Sequence, residues 1–245
     1  MPVDVERFRK STFFQPMKEV FLRPKIQRTM SIAENIQKIK AEIAPNARLI
    51  AVTKTKPVEM LMEAYEAGFK CYGENKVQEM VTKYEQLPKD IEWHLIGHLQ
   101  TNKVKYIAPF AAMIHSVDSF KLLQEINKQA VKNDRVIDCL LQIFIAQEET
   151  KFGLSEEEAT ELLASEAFQQ LKNVRIAGLM GMASNTEDED QVRREFKGLK
   201  QLFDSLRALY PSMTELSMGM SGDYRMAVKE GSTLVRVGSA IFGSR

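Results

Sequence analysis

Residues 49–68 read LIAVTKTKPVEMLMEAYEAG, and this stretch contains the unit that the rest of the chain repeats. Its apolar start at 49–52 has the length and composition of a short buried strand. Pro57 then fixes a backbone angle suited to the first turn of a helix, and a helical pattern continues to about residue 67. A buried strand followed directly by a helix predicts parallel strands joined by right-handed crossovers.

The same alternation of strand and helix continues to the end of the chain. A further helix precedes the first strand, and Ser31 with Glu34 forms a candidate capping box at its start. Eight units over about 200 residues favour a closed (β/α)8 TIM barrel over an open doubly wound sheet. The predicted strands are 49–53, 71–74, 92–96, 113–117, 138–146, 175–182, 215–218 and 234–238. The predicted helices are 31–43, 58–67, 77–85, 102–107, 119–131, 156–164, 188–209 and 223–230.

Bulk composition limits the class of protein. A chain of 245 residues with 44% hydrophobic residues can build one large barrel or two small domains. The net charge of +1 gives no overall attraction to nucleic acid or to a membrane surface, and no apolar run approaches the length of a spanning helix. Cys71 and Cys139 are far apart and lack metal-binding spacing, which is typical of reduced cysteines. We therefore expect a cytoplasmic protein without nucleic-acid or membrane partners.

The first 29 residues differ from the rest of the chain. They are basic, contain three prolines and lack apolar periodicity. We therefore expect residues 1–29 to be a loosely ordered extension and residues 30–245 to form the barrel.

Lys54 is the first candidate for chemistry. The active sites of such barrels lie at the carboxyl ends of the strands, and Lys54 follows the first strand directly. A lysine with its stem in an apolar wall is more readily neutral, and the neutral amine attacks carbonyl carbons. A solvated loop lysine is the alternative, and Lys56 competes for the same role.

Glycines and hydroxyls follow the last two strands. Gly219, Ser221 and Gly222 come after the seventh strand, and Gly238 with Ser239 comes after the eighth. A phosphate needs closely approaching backbone N–H groups, and phosphate sites of these barrels often lie between the last two strands. Each cluster alone could simply make a tight turn, but the two together favour a phosphate site.

Arg236 and the histidines complete the candidate residues. Alternation along the eighth strand places Arg236 on the same face as Gly238, directed into the barrel, where it needs a partner. A surface ion pair is the alternative. His94 and His98 flank Gly97 in strand and loop, so their spacing does not predict a metal site. Motifs for nucleotide hydrolysis, hydride transfer and triad hydrolysis are absent from the sequence.

Several ordered motifs together resemble the pyridoxal-phosphate homeostasis protein family. The resemblance covers about residues 30–245, and the run AVTKTKP containing Lys54 is one of its motifs. Ser239 stands where threonine is common, which keeps the hydroxyl and loses a methyl group. The matching segments are 51–57, 73–79, 93–103, 151–153, 178–180, 218–221 and 235–243.

The resemblance implies a barrel like the amino-terminal domain of alanine racemase, of fold type III among pyridoxal-phosphate proteins. It implies pyridoxal 5'-phosphate as cofactor, held as a Schiff base on Lys54. It also implies phosphate contacts, a residue facing the pyridine nitrogen and residues lining the ring. By this resemblance, Ser221, Gly238 and Ser239 would contact the phosphate. Arg236 would face the pyridine nitrogen, and Asn75 and Met220 would line the ring.

The same resemblance implies a carrier of the cofactor rather than an enzyme. A racemase of this fold uses a second base, a tyrosine from a separate carboxyl-terminal domain, and this chain ends just past the eighth strand. A cation opposite the pyridine nitrogen also disfavours ring protonation and weakens the ring as an electron sink. We expect storage, buffering or delivery of pyridoxal phosphate, with PLP-dependent apoenzymes as candidate recipients. A weak PLP-dependent amino-acid racemase is the alternative.

Overall fold

The structure is a computed structural model that describes residues 30–146 and 152–243. Within these residues, eight parallel strands close into a barrel in sequence order, with β1 paired to both β2 and β8. The predicted (β/α)8 barrel is therefore confirmed. The expected extension at 1–29 lies outside the described residues. The strands are β1 Arg48–Val52, β2 Cys71–Glu74, β3 Glu92–Leu95, β4 Ala111–Val117, β5 Ile137–Gln142, β6 Val174–Met180, β7 Glu215–Ser217 and β8 Leu234–Val237.

Helices follow the strands and form the outer ring. The extra helix α1 precedes β1, and both bonds of the predicted Ser31–Glu34 capping box are present. Two short helices, α7 at Glu166–Gln169 and α10 at Ser239–Phe242, were not predicted from the sequence, because four residues are too few to show helical periodicity. The helices are α1 Ile32–Ile43, α2 Val58–Glu66, α3 Val77–Gln86, α4 Val104–Ile107 after a 3-10 turn, α5 Phe120–Lys132, α6 Glu156–Ala164, α7 Glu166–Gln169, α8 Glu189–Leu209, α9 Tyr224–Lys229 and α10 Ser239–Phe242.

Alternation along the strands divides the core into two parts. Outward-facing strand residues such as Tyr72 and Trp93 are fully buried in the main core, which the helices share. A smaller apolar cluster containing Ile50, Leu140 and Leu234 is separate from that core. Burial of both faces explains why the strands are almost continuously apolar.

The strand ends differ most from prediction at β5 and β6. The predicted strand 138–146 ends at Gln142, and only Ile143 continues as an isolated bridge to Leu154. No helix in the described part of the chain is long and apolar enough to cross a membrane.

Candidate functional site

The carboxyl ends of the strands surround a cavity of about 350 Å³. Its walls combine apolar side chains, including Val52, Ile96 and Met182, with polar groups from loops after β1, β2, β7 and β8. Every residue to which the family resemblance gives a binding role lines this cavity. These residues are Lys54, Asn75, Met220, Ser221, Arg236, Gly238 and Ser239.

Two lysines line the cavity, but only one is held by backbone carbonyls. Lys56 Nζ donates to the carbonyl oxygens of Phe242, at 3.3 Å, and Gly243, at 2.9 Å. Lys54 is half-buried and has no hydrogen bond or ion pair with any residue that the structure describes. The geometry therefore favours Lys54 as the available amine, although the sequence left both candidates open.

A hydrogen-bonded cluster centred on the buried Lys83, which we call the Lys83 clamp, contacts the backbone on either side of Lys54. It consists of Thr53, Thr55, Glu74, Glu79 and Lys83. Lys83 Nζ donates to the Thr53 carbonyl and to both glutamates, each at 2.7 Å. The Thr55 N–H donates to Glu79 Oε1 at 2.6 Å, and the Thr53 hydroxyl donates to Glu74.

The sequence did not predict the Lys83 clamp. Glu79 and Lys83 stand four residues apart on α3, a spacing that usually indicates an exposed helical ion pair. In the structure, Lys83 is only 5% exposed and Glu74 is fully buried. Burial raises the pKa of the Glu74 carboxyl, while hydrogen bonds from Lys83 and Thr53 oppose that shift.

Arg236 is buried in the barrel and directed to the cavity. Its guanidinium donates to Ser217 Oγ at 2.5 Å and to the Gly181 carbonyl at 3.0 Å, and both partners are neutral. No carboxylate of the described residues forms an ion pair with it. Burial lowers the pKa of Arg236 to about 10. A buried cation without a carboxylate is costly to the fold, which indicates that an electron-rich ligand group completes its surroundings.

A chain of buried polar groups extends from Arg236 through the barrel interior. His115 Nδ1 lies 3.0 Å from Ser217 Oγ, and His115 Nε2 lies 2.9 Å from His94 Nδ1. Burial lowers the pKa of His94 to about 3 and lowers that of His115 well below its ordinary value. Two neutral imidazoles can share one N–H across this contact, whereas two protonated rings would place two N–H groups against each other.

The loops after β7 and β8 meet at one side of the cavity. The Gly238 N–H donates to Ser221 Oγ at 3.2 Å, which joins the two clusters that the sequence indicated as a phosphate site. Ser239 begins α10, whose first N–H groups have no acceptor within the helix. Gly219 has a φ of +93°, a conformation suited to glycine. These loops therefore present hydroxyls and backbone N–H groups together, as an anion requires.

Asn75 and Met220 lie at two other places on the cavity wall. Asn75 follows β2, and a Cβ added to Gly97 would lie 2.5 Å from its carbonyl oxygen, so glycine is needed at 97 for the two loops to approach. Met220 is 43% exposed at the cavity mouth. Both side chains can contact the body of a flat ligand.

Three potential metal ligands approach one another away from this cavity. Donor atoms of Cys71, Glu92 and His94 all lie within 4.8 Å of one another. The sequence pattern related His94 only to His98, as two histidines that flank Gly97. In the structure, the His98 ring stacks on Phe152. Burial raises the pKa of the Cys71 thiol to about 12, which disfavours the thiolate that binds metals.

The barrel and its site define a class of protein. A lysine amine, a buried arginine and an anion cradle meet at the carboxyl end of an alanine-racemase-like barrel. Residues 28–245 match the family model described as alanine racemase, N-terminal domain. An alanine racemase of Clostridium difficile has the same fold with a TM-score of 0.71 at 13% identity, and the match covers 88% of this chain and 57% of that one. That likeness shows the fold alone.

More similar proteins identify the family within this class. The pyridoxal phosphate homeostasis protein of Aquifex aeolicus is 43% identical over 224 residues, covering 89% of this chain and 97% of the relative. PipY of Synechococcus elongatus, whose structure has PLP bound, is 35% identical with a TM-score of 0.79, covering 87% of this chain and 100% of that one. The chain belongs to the pyridoxal phosphate homeostasis protein family.

Proposed function

We propose that this chain binds pyridoxal 5'-phosphate through a Schiff base on Lys54 and, as a member of its family, takes part in storing, buffering or delivering that cofactor. One observation carries the proposal. Among the described residues, Lys54 has no polar partner and the buried Arg236 has no carboxylate partner, and both line the same cavity. PipY, a relative with this fold, has PLP bound in its solved structure.

The residues of the cavity fit the parts of this cofactor. Ser221 and Ser239 would hold the phosphate through their hydroxyls, together with the backbone near Gly238. Arg236 would lie at the pyridine nitrogen, where its guanidinium can only donate a hydrogen bond. Asn75 and Met220 would line the ring.

The half-buried position of Lys54 suits the covalent step. When bound, the cofactor supplies an aldehyde and an aromatic ring that can accept electrons. Lys54 would hold the cofactor through its amine: a C=N bond from Lys54 Nζ would replace the C=O bond of the aldehyde, and the oxygen would leave as water with the two amine protons. The apolar side chains of Val52 and Met182 on the cavity wall reduce the access of water to this bond.

Arg236 supports a carrier rather than an enzyme. A permanent cation at the pyridine nitrogen opposes ring protonation, so the ring would be a poor electron sink. The proposal extends to a cytoplasmic location and to PLP-dependent apoenzymes as recipients, in agreement with the expectation from the sequence.

Borohydride reduction tests the proposal. The purified protein incubated with pyridoxal phosphate should give an absorbance band near ~420 nm, and reduction followed by peptide mapping should find the pyridoxyl group on Lys54. Lys56→Ala is the matched control and should be labelled like the wild type. A label on Lys56 in the wild type would contradict the assignment. Turnover of any amino acid in a broad panel would contradict the carrier role.

A further inference from the structure

We propose that Glu79 and Lys83 are positioning residues that orient Lys54 toward the cofactor aldehyde by fixing the backbone on both sides of it. This inference rests on the proposed function, because it concerns how the same lysine reaches its partner. Neither residue lines the cavity, and neither would touch the cofactor.

Three contacts fix the segment that carries Lys54. Lys83 donates to the Thr53 carbonyl at 2.7 Å, Glu79 accepts from the Thr55 N–H at 2.6 Å, and Glu74 accepts from the Thr53 hydroxyl. The three side chains that contact this segment belong to β2 and α3. The residues before and after Lys54 are therefore anchored, while the Lys54 side chain itself has no polar contact with the described residues.

The backbone conformation at Thr55 shows why an anchor is needed. Thr55 has a φ of +62°, in the left-handed region that a β-branched residue rarely adopts. Such a conformation persists only where surrounding contacts determine it. Two contacts determine the conformation of Thr55. The Lys56 N–H donates to the Thr53 carbonyl at 3.0 Å and closes the turn, and the Glu79 carboxylate accepts from the Thr55 N–H while Lys83 donates to it at 2.7 Å.

The burial of the Lys83 clamp indicates a role beyond stability. Lys83 donates to three oxygens at 2.7 Å, which uses all the hydrogens of its ammonium group. Glu74 keeps one oxygen without a hydrogen-bond partner among the described residues. A buried ion cluster with an unsatisfied oxygen is not an efficient way to stabilise a fold, because desolvation opposes the attraction. Geometric control of the adjacent turn accounts for its presence.

This positioning separates the covalent step from the binding of the phosphate. The phosphate loops follow β7 and β8, while the Lys83 clamp consists of residues from the loop after β1, from β2 and from α3. Loss of Glu79 should therefore slow formation of the bond to Lys54 without weakening binding of an analogue that has no aldehyde. Pyridoxine 5'-phosphate is such an analogue, since an alcohol replaces its aldehyde.

The test uses Glu79→Ala, with Glu79→Gln as the conservative variant and Glu85→Ala as a control on the same helix, where Glu85 is exposed. We expect Glu79→Ala to form the Schiff base about tenfold more slowly than the wild type, because small misplacements of a reacting group have large effects on rate. We expect faster amide exchange at Thr55 in the cofactor-free variant. Affinity for pyridoxine 5'-phosphate should stay within about twofold. Glu79→Gln should recover most of the rate, since its amide oxygen can accept the same hydrogen bonds.

Two results would overturn the inference. One is a wild-type rate in Glu79→Ala. The other is an equal loss of rate and of pyridoxine 5'-phosphate affinity, which would show a general structural role. If Glu79→Ala does not fold, Glu79→Ser provides the same comparison. A failure of the proposed function would be detected by a different experiment. Borohydride labelling of the wild type would then find no pyridoxyl group on Lys54, before any variant is measured.

Discussion

The two cations that line the cavity at the carboxyl end of the barrel, Lys54 and Arg236, differ in their partners from the charged residues at the amino-terminal end. At the amino-terminal end, the first residues of the strands pair with each other, as in Arg48 with Glu215 at 3.0 Å and Arg175 with Asp138 through two hydrogen bonds. At the carboxyl end, Lys54 and Arg236 have no carboxylate partner among the described residues. Paired charges at one end stabilise the closed sheet, whereas unpaired cations at the other end leave binding capacity for a ligand.

The largest expected effect comes from removing the unpaired amine. Lys54→Ala should abolish the Schiff-base absorbance completely and leave the fold intact, because this side chain makes no polar contact with the described residues. Absorbance and thermal unfolding of the same samples check both parts. Lys56→Ala is the control, since the Lys56 ammonium is held by the Phe242 and Gly243 carbonyls. An unchanged band in Lys54→Ala would contradict the contrast between the two ends.

The second prediction concerns the buried histidines between the two ends. Burial lowers the pKa of His94 to about 3 and lowers that of His115 well below its ordinary value. The unfolded chain therefore binds more protons than the folded protein below pH ~6.5, and stability falls as the pH decreases toward ~3. Between pH 6.5 and 5 the two histidines together should reduce the free energy of unfolding by about 3 kcal/mol.

Denaturant unfolding across this pH range measures the effect. His94→Gln should lose about half of the acid dependence, whereas His98→Gln, altered at an exposed histidine, should retain it. The raised pKa of Glu74 acts in the opposite direction at the acid end of the range, because its proton is bound more tightly in the folded protein. An acid dependence identical in His94→Gln and the wild type would mean that the buried imidazoles are not the cause.

The sequence predicts site residues that a local pattern marks, but it does not predict contacts between residues that are far apart along the chain. Lys54 and Ser221 were found from the sequence because a local pattern marks the end of a strand, and barrel closure places all such ends together. The pair His115 and Ser217 was not found, because the two residues are 102 positions apart and meet only through the barrel interior. Periodicity reports which face a residue occupies but not which residue lies opposite.

Separation along the chain also explains why the sequence did not predict the Lys83 clamp. Local spacing relates Lys83 to Glu79, and the structure contains that ion pair. The contact from Lys83 to the Thr53 carbonyl depends instead on how α3 packs across the end of β1. The strand pattern was likewise sufficient to predict the barrel. It did not predict that β5 ends at Gln142, because apolar residues continue past Gln142 into the loop.

The third prediction tests the anion cradle at the carboxyl end. Ser221→Ala and Ser239→Ala should each weaken pyridoxal phosphate binding by about 1.5–3 kcal/mol, the usual loss for a hydrogen bond to a charged acceptor. Equilibrium titration of each variant gives the dissociation constant, and the Schiff base should still form at high cofactor concentration. Ser205→Ala is a control, because Ser205 lies on α8 and donates to the Gln201 carbonyl. Unchanged constants in both variants would remove these hydroxyls from the phosphate site.

The smallest expected effect is on stability, from removing a charge pair at the amino-terminal end of the barrel. Arg175 is 60% exposed in its side chain and pairs with Asp138, so solvent screens the interaction. Arg175→Met should reduce the free energy of unfolding by only about 0.2–1 kcal/mol, and less at high salt. Pyridoxal phosphate affinity should change by less than about twofold, because distant sites without shared partners contribute additively. Denaturant unfolding at two salt concentrations and a cofactor titration measure both quantities. A loss of affinity comparable to that of Ser221→Ala would show that the two ends are coupled, and the paired charges would then belong to the functional part of the barrel.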